Sequence, residues 1–400
     1  MNTTIKSAYI QDIKKSFKLR HYINYIAVAF ALLLFSALYY AGLLNRSTPH
    51  LLLQIGYNVI LAVSLNLVVG LLGELSLGHA GFMCVGAYLG TFVSNYLLEL
   101  IPSLSLCLII SMLIGGAAAG LFGLIVGLPA LRLKGDYLAI VTLAFGEIVR
   151  NVCRNLSFFG GAMGLESRYY GEMLTRGIRT SRLFIPAFAV VLIMLFVIQN
   201  LIRSKHGRAI TAIRDNEIAA RTMGINVTYY KLFVFVVSSV FAGIAGVIYG
   251  ASLSPVSYSA FSYNFSIEIL VMVVLGGMGS INGSIIAATL ITGINFALKA
   301  RFSGDMSAVR NLIYALILIL LVIYKNAPAL KGIREKYTPK RLLTKFLPRK
   351  APSYINDDTA DWDVITTKIP MDEVLSLDVK VVESVTDPDK PEPLGKGDGE

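Results

Sequence analysis

The feature of this sequence that most constrains its fold is a series of long apolar segments separated by short polar ones. A membrane-spanning helix needs about 20 mostly apolar residues. Ten segments reach or approach that length: 23–44, 51–72, 80–97, 104–127, 137–153, 183–202, 230–252, 265–277, 284–300 and 307–325. Three of them, 80–97, 137–153 and 265–277, are short or interrupted. The pattern predicts an all-α polytopic membrane protein with about ten transmembrane helices.

The composition excludes several other classes of protein. Hydrophobic residues make up 55% of the chain and charged residues 15%, whereas soluble chains carry about 25% charged residues. A soluble globular enzyme, a disordered chain and a secreted disulfide scaffold are therefore excluded. The three cysteines, Cys84, Cys107 and Cys153, have the spacing of neither a metal site nor a disulfide framework. We expect them to be packing residues, and we expect no metal and no cofactor.

The basic residues predict the orientation in the membrane, because Lys and Arg collect on its cytoplasmic side. They cluster before the first apolar segment, between 203 and 231, and from 325 to 350. Even numbers of predicted spans separate these regions, so all three, and both chain termini, are expected in the cytoplasm. This basic character predicts contact with the lipid bilayer and not with nucleic acid.

One segment, 154–182, disagrees with the rule. By the same parity it lies on the external side, yet it contains several arginines. We interpret Arg168, Arg176, Arg179 and Arg182 as a docking surface for an acidic external partner.

The chain divides into three regions by composition. Residues 1–22 are a basic cytoplasmic N-terminus, and the apolar run after them has no A-x-A site, which is typical of a retained signal anchor. Residues 23–325 are the transmembrane domain. Residues 326–400 are a cytoplasmic tail, basic at first and then acidic, with 13 Asp and Glu against 4 Lys and Arg over 351–400. We expect the tail to be largely disordered.

Two Gly-rich polar stretches, 57–90 and 264–283, interrupt the apolar segments. Irregular backbone at membrane depth is tolerated where protein shields it or where it lines a cavity, and paired broken segments mark substrate paths in transporters. We therefore predict a translocation path or gate that includes Asn58, Asn66, Glu74, Ser76, His79, Asn264, Glu268, Gly276 and Gly277. We add Glu147, because an ionisable residue inside the short apolar run 137–153 is expected to face the interior of the bundle. Tight cytoplasmic turns, and hydrogen bonds that bridge helices, are the alternative interpretation.

Other glycines predict close helix packing. GxxxG spacing lets two helix backbones approach each other. It occurs at Gly86/Gly90, Gly116/Gly120, Gly123/Gly127 and Gly246/Gly250.

The cytoplasmic loop 203–229 has the pattern of a helix. From Gly207 and Arg208 onward, small apolar residues recur at helical spacing, charged residues lie opposite them, and Gly224 is a plausible C-cap. The apolar face is mostly Ala, which favours a groove in a protein partner over the lipid surface. The residues expected to contact that partner are Arg208, Arg214, Asp215, Glu217, Ala219, Ala220 and Gly224.

Several stretches resemble the permease subunits of branched-chain amino-acid ABC importers. The sequence E-I-A-A-R-T-M-G over 217–224 is similar to the E-A-A…G coupling motif of importer permeases, with one residue inserted. Family-like sequences are also found at 64–67, 73–80, 131–142, 146–149 and 274–280. The sequence G-G-A-M-G-L at 160–165 matches as well, although Phe159 replaces the usual Thr.

The resemblance implies a type II-like ABC importer permease in the bacterial or archaeal cytoplasmic (inner) membrane. It implies a second permease subunit, two ABC ATPase subunits that use the ATP, and an extracytoplasmic solute-binding protein. The chain itself is expected to be no enzyme, since it contains no G-x-x-x-x-G-K-[ST] sequence. The expected cargo is Leu, Ile and Val or another neutral amino acid.

Two other functions stay open at the level of sequence. A permease of the same family could import urea or short amides. An ion-coupled secondary transporter would need paired charges within the membrane, and the sequence offers only isolated carboxylates.

Overall fold

The structure, a computed structural model, describes residues 28–39, 41, 47–101, 103–133, 135–178 and 180–301, together with Leu316 and Ile319. All of these belong to one compact unit, residues 1–327. The predicted N-terminal region 1–22, the last predicted span 307–325 (apart from the two single residues) and the tail 326–400 lie outside the described residues.

The described part of the chain is almost entirely helical. Its one piece of β-type pairing is an isolated antiparallel bridge between Leu165 and Val256. The helices are α1 (Val28–Tyr39), α2 (Thr48–Asn66), α3 (His79–Leu100), α4 (Leu104–Ala130), α5 (Asp136–Asn155), α6 (Arg168–Thr175), α7 (Phe184–Arg203), α8 (Lys205–Asp215), α9 (Glu217–Thr222), α10 (Val227–Ser252), α11 (Tyr263–Gly276) and α12 (Ile281–Arg301). A π-helical turn, Leu67–Leu72, continues α2.

Six of the described helices are long and apolar enough to cross a membrane: Thr48–Leu72, His79–Leu100, Leu104–Ala130, Phe184–Arg203, Val227–Ser252 and Ile281–Lys299. Two shorter apolar helices, Val28–Tyr39 and Tyr263–Gly276, coincide with further predicted spans. The predicted span 137–153 is a helix, α5, but it carries Asp136, Glu147, Arg150 and Arg154. The multi-pass architecture is therefore confirmed, whereas the count of about ten spans stays a prediction.

Helix α10 forms the centre of the bundle and packs most extensively against α3 and α4. Its backbone comes very close to both, as the GxxxG pairs predict. A β-carbon at Gly86 would collide with the backbone of Gly243, and one at Gly246 would collide with the carbonyl oxygen of Met83. Side chains larger than hydrogen at these positions would push the helices apart.

The two ends of the bundle are distinguished by the loops that they carry. Helix α7 runs from residues 180–183 at one end to 203–229 at the other, over about 30 Å for its 20 residues. We call the end with 203–229 the coupling end and the opposite end the far end. Segment 154–182 lies at the far end, where Asn95, near the end of α3, donates a hydrogen bond to the Glu166 carbonyl at 2.7 Å. The predicted opposition of these two loops is therefore present in the structure.

We predict that Gly246→Ala lowers the free energy of unfolding by about 1–3 kcal/mol, because overpacking at a backbone contact forces the helices apart. Thermal unfolding in detergent, followed by size-exclusion chromatography after heating, measures the effect. Gly293→Ala in α12 is the matched control, since an added β-carbon there meets nothing within 4 Å. Equal melting temperatures for the two variants would contradict the packing described here.

Candidate functional site

The segment 203–229 forms two short helices and not the single helix predicted. Helix α8 ends at Asp215, and Asn216 has extended backbone angles, φ −157° and ψ 104°. The Asn216 side chain accepts a hydrogen bond from the Ala219 amide at 3.0 Å and so caps α9. Asn competes with helical backbone in this way at N-caps, which explains the break. At the other end of α9, Gly224 has φ +79° and terminates the helix as predicted.

The break divides the apolar face that the sequence analysis treated as one. Ile210, Ile213 and Ala220 are buried against the bundle. Ile218 and Met223, in contrast, are 74% and 82% exposed. The segment is thus anchored by one set of apolar side chains and presents another set outward, together with exposed charged groups.

A three-residue ion cluster joins this segment to the membrane helices. The Lys231 ammonium, near the start of α10, lies 2.5 Å from Glu74 Oε1 and 3.1 Å from Glu217 Oε2. The Lys231 side chain is only 5% exposed. Glu74 belongs to the stretch after the π-helical turn, and Glu217 is the first residue of α9. One buried cation therefore holds α9, α10 and the end of the α2 segment together.

The role of Lys231 was not predicted from the sequence. By its position in the sequence Lys231 belongs to the basic loop, whereas Glu74 is predicted in the path and Glu217 on the partner surface. The one signal available was that Lys231 stands alone within an apolar helix, which requires a partner for its charge. Glu217 also pairs outward with Arg221 at 2.9 Å, so it contacts both the bundle interior and the surface.

Arg214 connects helix α8 to the π-helical turn. The guanidinium donates to the Gly70 carbonyl at 3.3 Å and pairs with Asp215 at 2.9 Å. The aliphatic part of the Arg214 side chain covers Gly73, where a β-carbon would come within 2.8 Å of it. Arg214 is therefore a structural contact of the segment as well as a predicted partner contact, whereas Arg208 is exposed.

The two Gly-rich breaks, far apart in sequence, meet at the coupling end. The Asn66 side chain accepts from the Gly279 amide at 2.8 Å and donates to the Ser284 hydroxyl at 2.9 Å. A β-carbon at Gly70 would collide with the Gly279 amide nitrogen. The loop after α11 turns through Gly277 and Gly279, which have φ of +97° and +82°. Four predicted path residues, Asn66, Glu74, Gly276 and Gly277, thus lie at the coupling end.

His79 and Ser76 lie deeper in the bundle. The Ser64 hydroxyl is 2.8 Å from His79 Nε2, and the Ser238 hydroxyl donates to the Ser64 carbonyl at 2.6 Å. This chain of contacts ties α2, α3 and α10 together. Ser76 is buried as well.

Glu147 connects α5 with the start of α11. The Glu147 carboxylate accepts from the Tyr263 amide at 3.1 Å and pairs with Arg150 at 2.8 Å. Asn264, the next residue along α11, is exposed.

A cavity of about 300 Å³ opens toward the far end of the bundle. It lies among α2, α3, α10, α11, α12 and the turn Tyr258–Phe261. Two predicted path residues, Asn58 and Glu268, line it. Asn58 Nδ2 donates to the Thr292 hydroxyl at 2.9 Å, and Asn295 Nδ2 donates to Glu268 Oε1 at 3.2 Å.

Three of the predicted docking arginines, Arg168, Arg176 and Arg182, lie at the far end, and the first two are paired with acidic residues. Arg168 pairs with Glu99 at 2.5 Å, and Arg176 pairs with Glu172 at 3.1 Å. Arg182 is exposed, and Arg179 lies outside the described residues. Their part in docking stays a prediction.

Most of the sequence that forms the bundle is similar to known proteins. The sequence profile of the family described as "Branched-chain amino acid transport system / permease component" matches residues 47–324. The high-affinity branched-chain amino acid transport system permease protein LivM of Salmonella typhimurium is 38% identical over 260 residues, 58% of this chain and 59% of the relative. Its Escherichia coli counterpart is 36% identical over 284 residues, 65% of each chain.

A more distant match concerns a different cargo. The ribose import permease protein RbsC of Haemophilus influenzae is 28% identical over 285 residues, 68% of this chain and 83% of the relative. No solved structure matches. The chain spans 59% and 65% of the length of the two LivM relatives.

We predict that Lys231→Met lowers the free energy of unfolding by about 3–5 kcal/mol, because it leaves two carboxylates together without their cation. Thermal unfolding in detergent measures the loss. Adding Glu74→Gln to that variant should restore part of the stability, since one of the two unpaired charges is then removed.

Arg221→Met is the control for this cluster. It removes the other cation of Glu217, but Arg221 is 67% exposed, and surface ion pairs contribute under about 1 kcal/mol. If Arg221→Met cost as much as Lys231→Met, the buried cluster would not be the contact that holds the segment.

Proposed function

The chain belongs to the family of permease components of branched-chain amino acid transport systems, and from this premise we propose that it is a transmembrane subunit of an ATP-driven importer of branched-chain or other neutral amino acids. It would form the path with a second permease subunit. Two ABC ATPase subunits would bind at the coupling end and use the ATP, and an extracytoplasmic solute-binding protein would deliver the cargo at the far end. The membrane would be the bacterial or archaeal cytoplasmic membrane.

The single observation that carries this proposal is the anchoring of α8 and α9 to the spans. Ile210, Ile213 and Ala220 are packed into the bundle, and Lys231 and Arg214 bind the segment to α10 and to the π-helical turn. A push on the exposed side of the segment therefore reaches α2 and α10 without first breaking a contact. This is the property that a coupling element needs.

The meeting of the two Gly-rich breaks supports a gate at the same end. Gly70, Gly277 and Gly279 let the two stretches of backbone lie together there. If the segment tilts, these breaks can separate or close, because they are linked by few side-chain hydrogen bonds. Opposite tilting at the two ends gives alternating access.

An ion-coupled transporter is the alternative from a different class. Within the described residues, the buried cluster of Lys231, Glu74 and Glu217 is confined to the coupling end, where α9 begins. A proton or sodium relay across the membrane needs charged or polar groups in series. This arrangement favours mechanical coupling to a partner.

The reconstituted complex tests the function directly. In proteoliposomes that contain both permeases, both ATPases and the binding protein, we expect uptake of labelled leucine that requires ATP and the binding protein. The chain alone should carry none. Leucine uptake by the chain alone, or uptake of urea in preference to leucine by the complex, would contradict the proposal.

We also predict that Ile218→Asp and Met223→Asp abolish co-purification of the ATPase subunits while the permease folds normally. Both side chains are exposed, so folding does not depend on them, but a charge would be buried in the docked complex at a cost of several kcal/mol. Met163→Asp is the control, because Met163 is equally exposed but lies at the far end. Normal co-purification of both variants would place the contact elsewhere.

A further inference from the structure

An ion pair on α5 lies at about half the depth of the bundle. Glu147 Oε2 is 2.8 Å from Arg150 Nη2. Helix α4 ends at the coupling end, where Gly127 lies against Leu232 near the start of α10. Helix α5 therefore starts there, at Asp136, and Glu147 follows about 16 Å along its axis. Since the hydrocarbon core of a bilayer is about 30 Å thick, the pair lies near its middle.

The contact with α11 gives the same depth. The Tyr263 amide, at the start of α11, donates to Glu147 Oε1 at 3.1 Å. Helix α11 then runs for 14 residues, about 20 Å, to the loop of Gly277 and Gly279 at the coupling end. Two helices thus place this carboxylate at a similar distance from that end.

Both charged side chains of the pair are accessible. Each is 25% exposed. Within the described residues, Glu147 is the one ion-pair or hydrogen-bond partner of the Arg150 side chain, although a guanidinium has five N–H donors. Arg150 Nε is buried without an acceptor, so the exposed quarter belongs to the rest of the side chain. The guanidinium can therefore accept a further anion at its terminal nitrogens.

The outer face that carries the pair differs from the apolar faces of the other spans. Helices α4 and α7 expose large apolar side chains, such as Leu113 at 66% and Phe196 at 61%, as contact with lipid requires. On α5, the carboxylate of Glu147, the guanidinium of Arg150 and the exposed amide of Asn151 lie on one face instead. Charged groups at membrane depth face protein or a water-filled cavity. Lipid therefore does not cover this face of α5.

Apolar residues adjoin the pair on the side toward the coupling end. Leu143 and Ala144 precede Glu147 by about one turn and Ile140 precedes it by two, so they share its helix face. Ile140 is 62% exposed, and Ala144 is exposed as well. Opposite charges beside an apolar strip match the ammonium group, the carboxylate and the hydrocarbon side chain of a neutral amino acid.

We propose that Arg150 and Glu147 form a head-group site in the translocation path, where the guanidinium binds the α-carboxylate of a free amino acid and the Glu147 carboxylate binds its α-ammonium group. The substrate side chain packs on Ile140 and Ala144. This face of α5 borders the path that the chain forms with the second permease. Without substrate the two residues neutralise each other, and with substrate each is neutralised by it. The inference rests on the proposed function and adds to it the chemical group that is recognised, the zwitterion.

Cysteine accessibility tests whether this face contacts water. The complex of both permeases and both ATPases is held in lipid nanodiscs, which leave its two sides open. A negatively charged methanethiosulfonate reagent should label Ala144→Cys, which lies on the face of the pair, and should not label Leu113→Cys on α4. The native cysteines are buried, so the wild type gives the background. An unlabelled Ala144→Cys, or equal labelling of both variants, overturns the proposal.

Ligand-induced stabilisation of the same complex, without binding protein or nucleotide, tests recognition of the zwitterion. The three probes are L-leucine, 3-methylbutylamine, which lacks the carboxylate, and 4-methylpentanoate, which lacks the amine. We expect L-leucine to raise the melting temperature at millimolar concentration. Each analogue should need at least about tenfold more for the same shift, because it meets only one of the two charges. No shift with L-leucine, or an equal shift with either analogue, overturns the proposal.

Variants of the pair sharpen the result. Glu147→Gln combined with Arg150→Gln removes both charges at once, so neither is left unpaired, and it should abolish the L-leucine shift. Arg150→Lys keeps a cation and should retain part of the shift. Glu172→Gln, on the exposed helix α6, is the control and should leave it intact. An unchanged shift in the double variant overturns the proposal, and if that variant fails to fold, the comparison of the three probes in the wild type decides.

Uptake by the complete reconstituted system separates this inference from the proposed function. If the wild type imports leucine and the double variant imports it at the same rate, the head-group site is refuted while the importer stands. If the wild type imports no neutral amino acid, the proposed function itself fails. A reduced leucine uptake in the double variant with ATP hydrolysis preserved supports both.

Discussion

A lysine ammonium buried in an apolar bundle has to be neutralised, and this requirement organises the coupling end of the protein. Lys231 is placed on α10 by the chain, and its charge can remain only where anions reach it. Glu74 and Glu217 supply them from two other elements. Lys231 and Glu74 are 5% and 13% exposed, so neither of these two charges is well solvated without the other, whereas Glu217 also pairs with Arg221. The position of α9 is therefore linked to that of the stretch after α2 and to the base of the central helix.

The coupling end also supplies hydrogen-bond partners for backbone groups that the helix breaks leave unpaired. A helix interrupted at membrane depth leaves amide and carbonyl groups without partners. Here the Gly279 amide finds the Asn66 side chain, and the Gly70 carbonyl finds Arg214. Each break thus provides or receives a partner for the other break or for α8. The interrupted segments are stable because they are together.

Local patterns in the sequence predicted the elements well and the tertiary contacts poorly. The apolar segments, the close glycine contacts of α3 and α10 and the end of α9 at Gly224 depend on neighbouring residues, so they could be predicted. The pairing of Glu74 with Lys231 joins residues 157 positions apart, and no local signal encodes it. Likewise, Asn58 and Glu268 were assigned to a path individually, but only α12 brings them to one cavity. The split at Asn216 was missed because the helical spacing of the apolar residues continues across it.

The backbone contact between α3, α4 and α10 restricts how the bundle can move. Where glycines interlock, one helix cannot slide along or rotate against another without collisions between main-chain atoms. These three helices therefore behave as one rigid unit. Close glycine contacts also join Gly70 to Gly279 and Gly276 to Gly283 at the coupling end. Relative displacement is easier in the far-end parts of α2 and α12, where side chains such as Asn58 and Thr292 make the contact. The helices can therefore move relative to one another only at those contacts that glycine residues do not make.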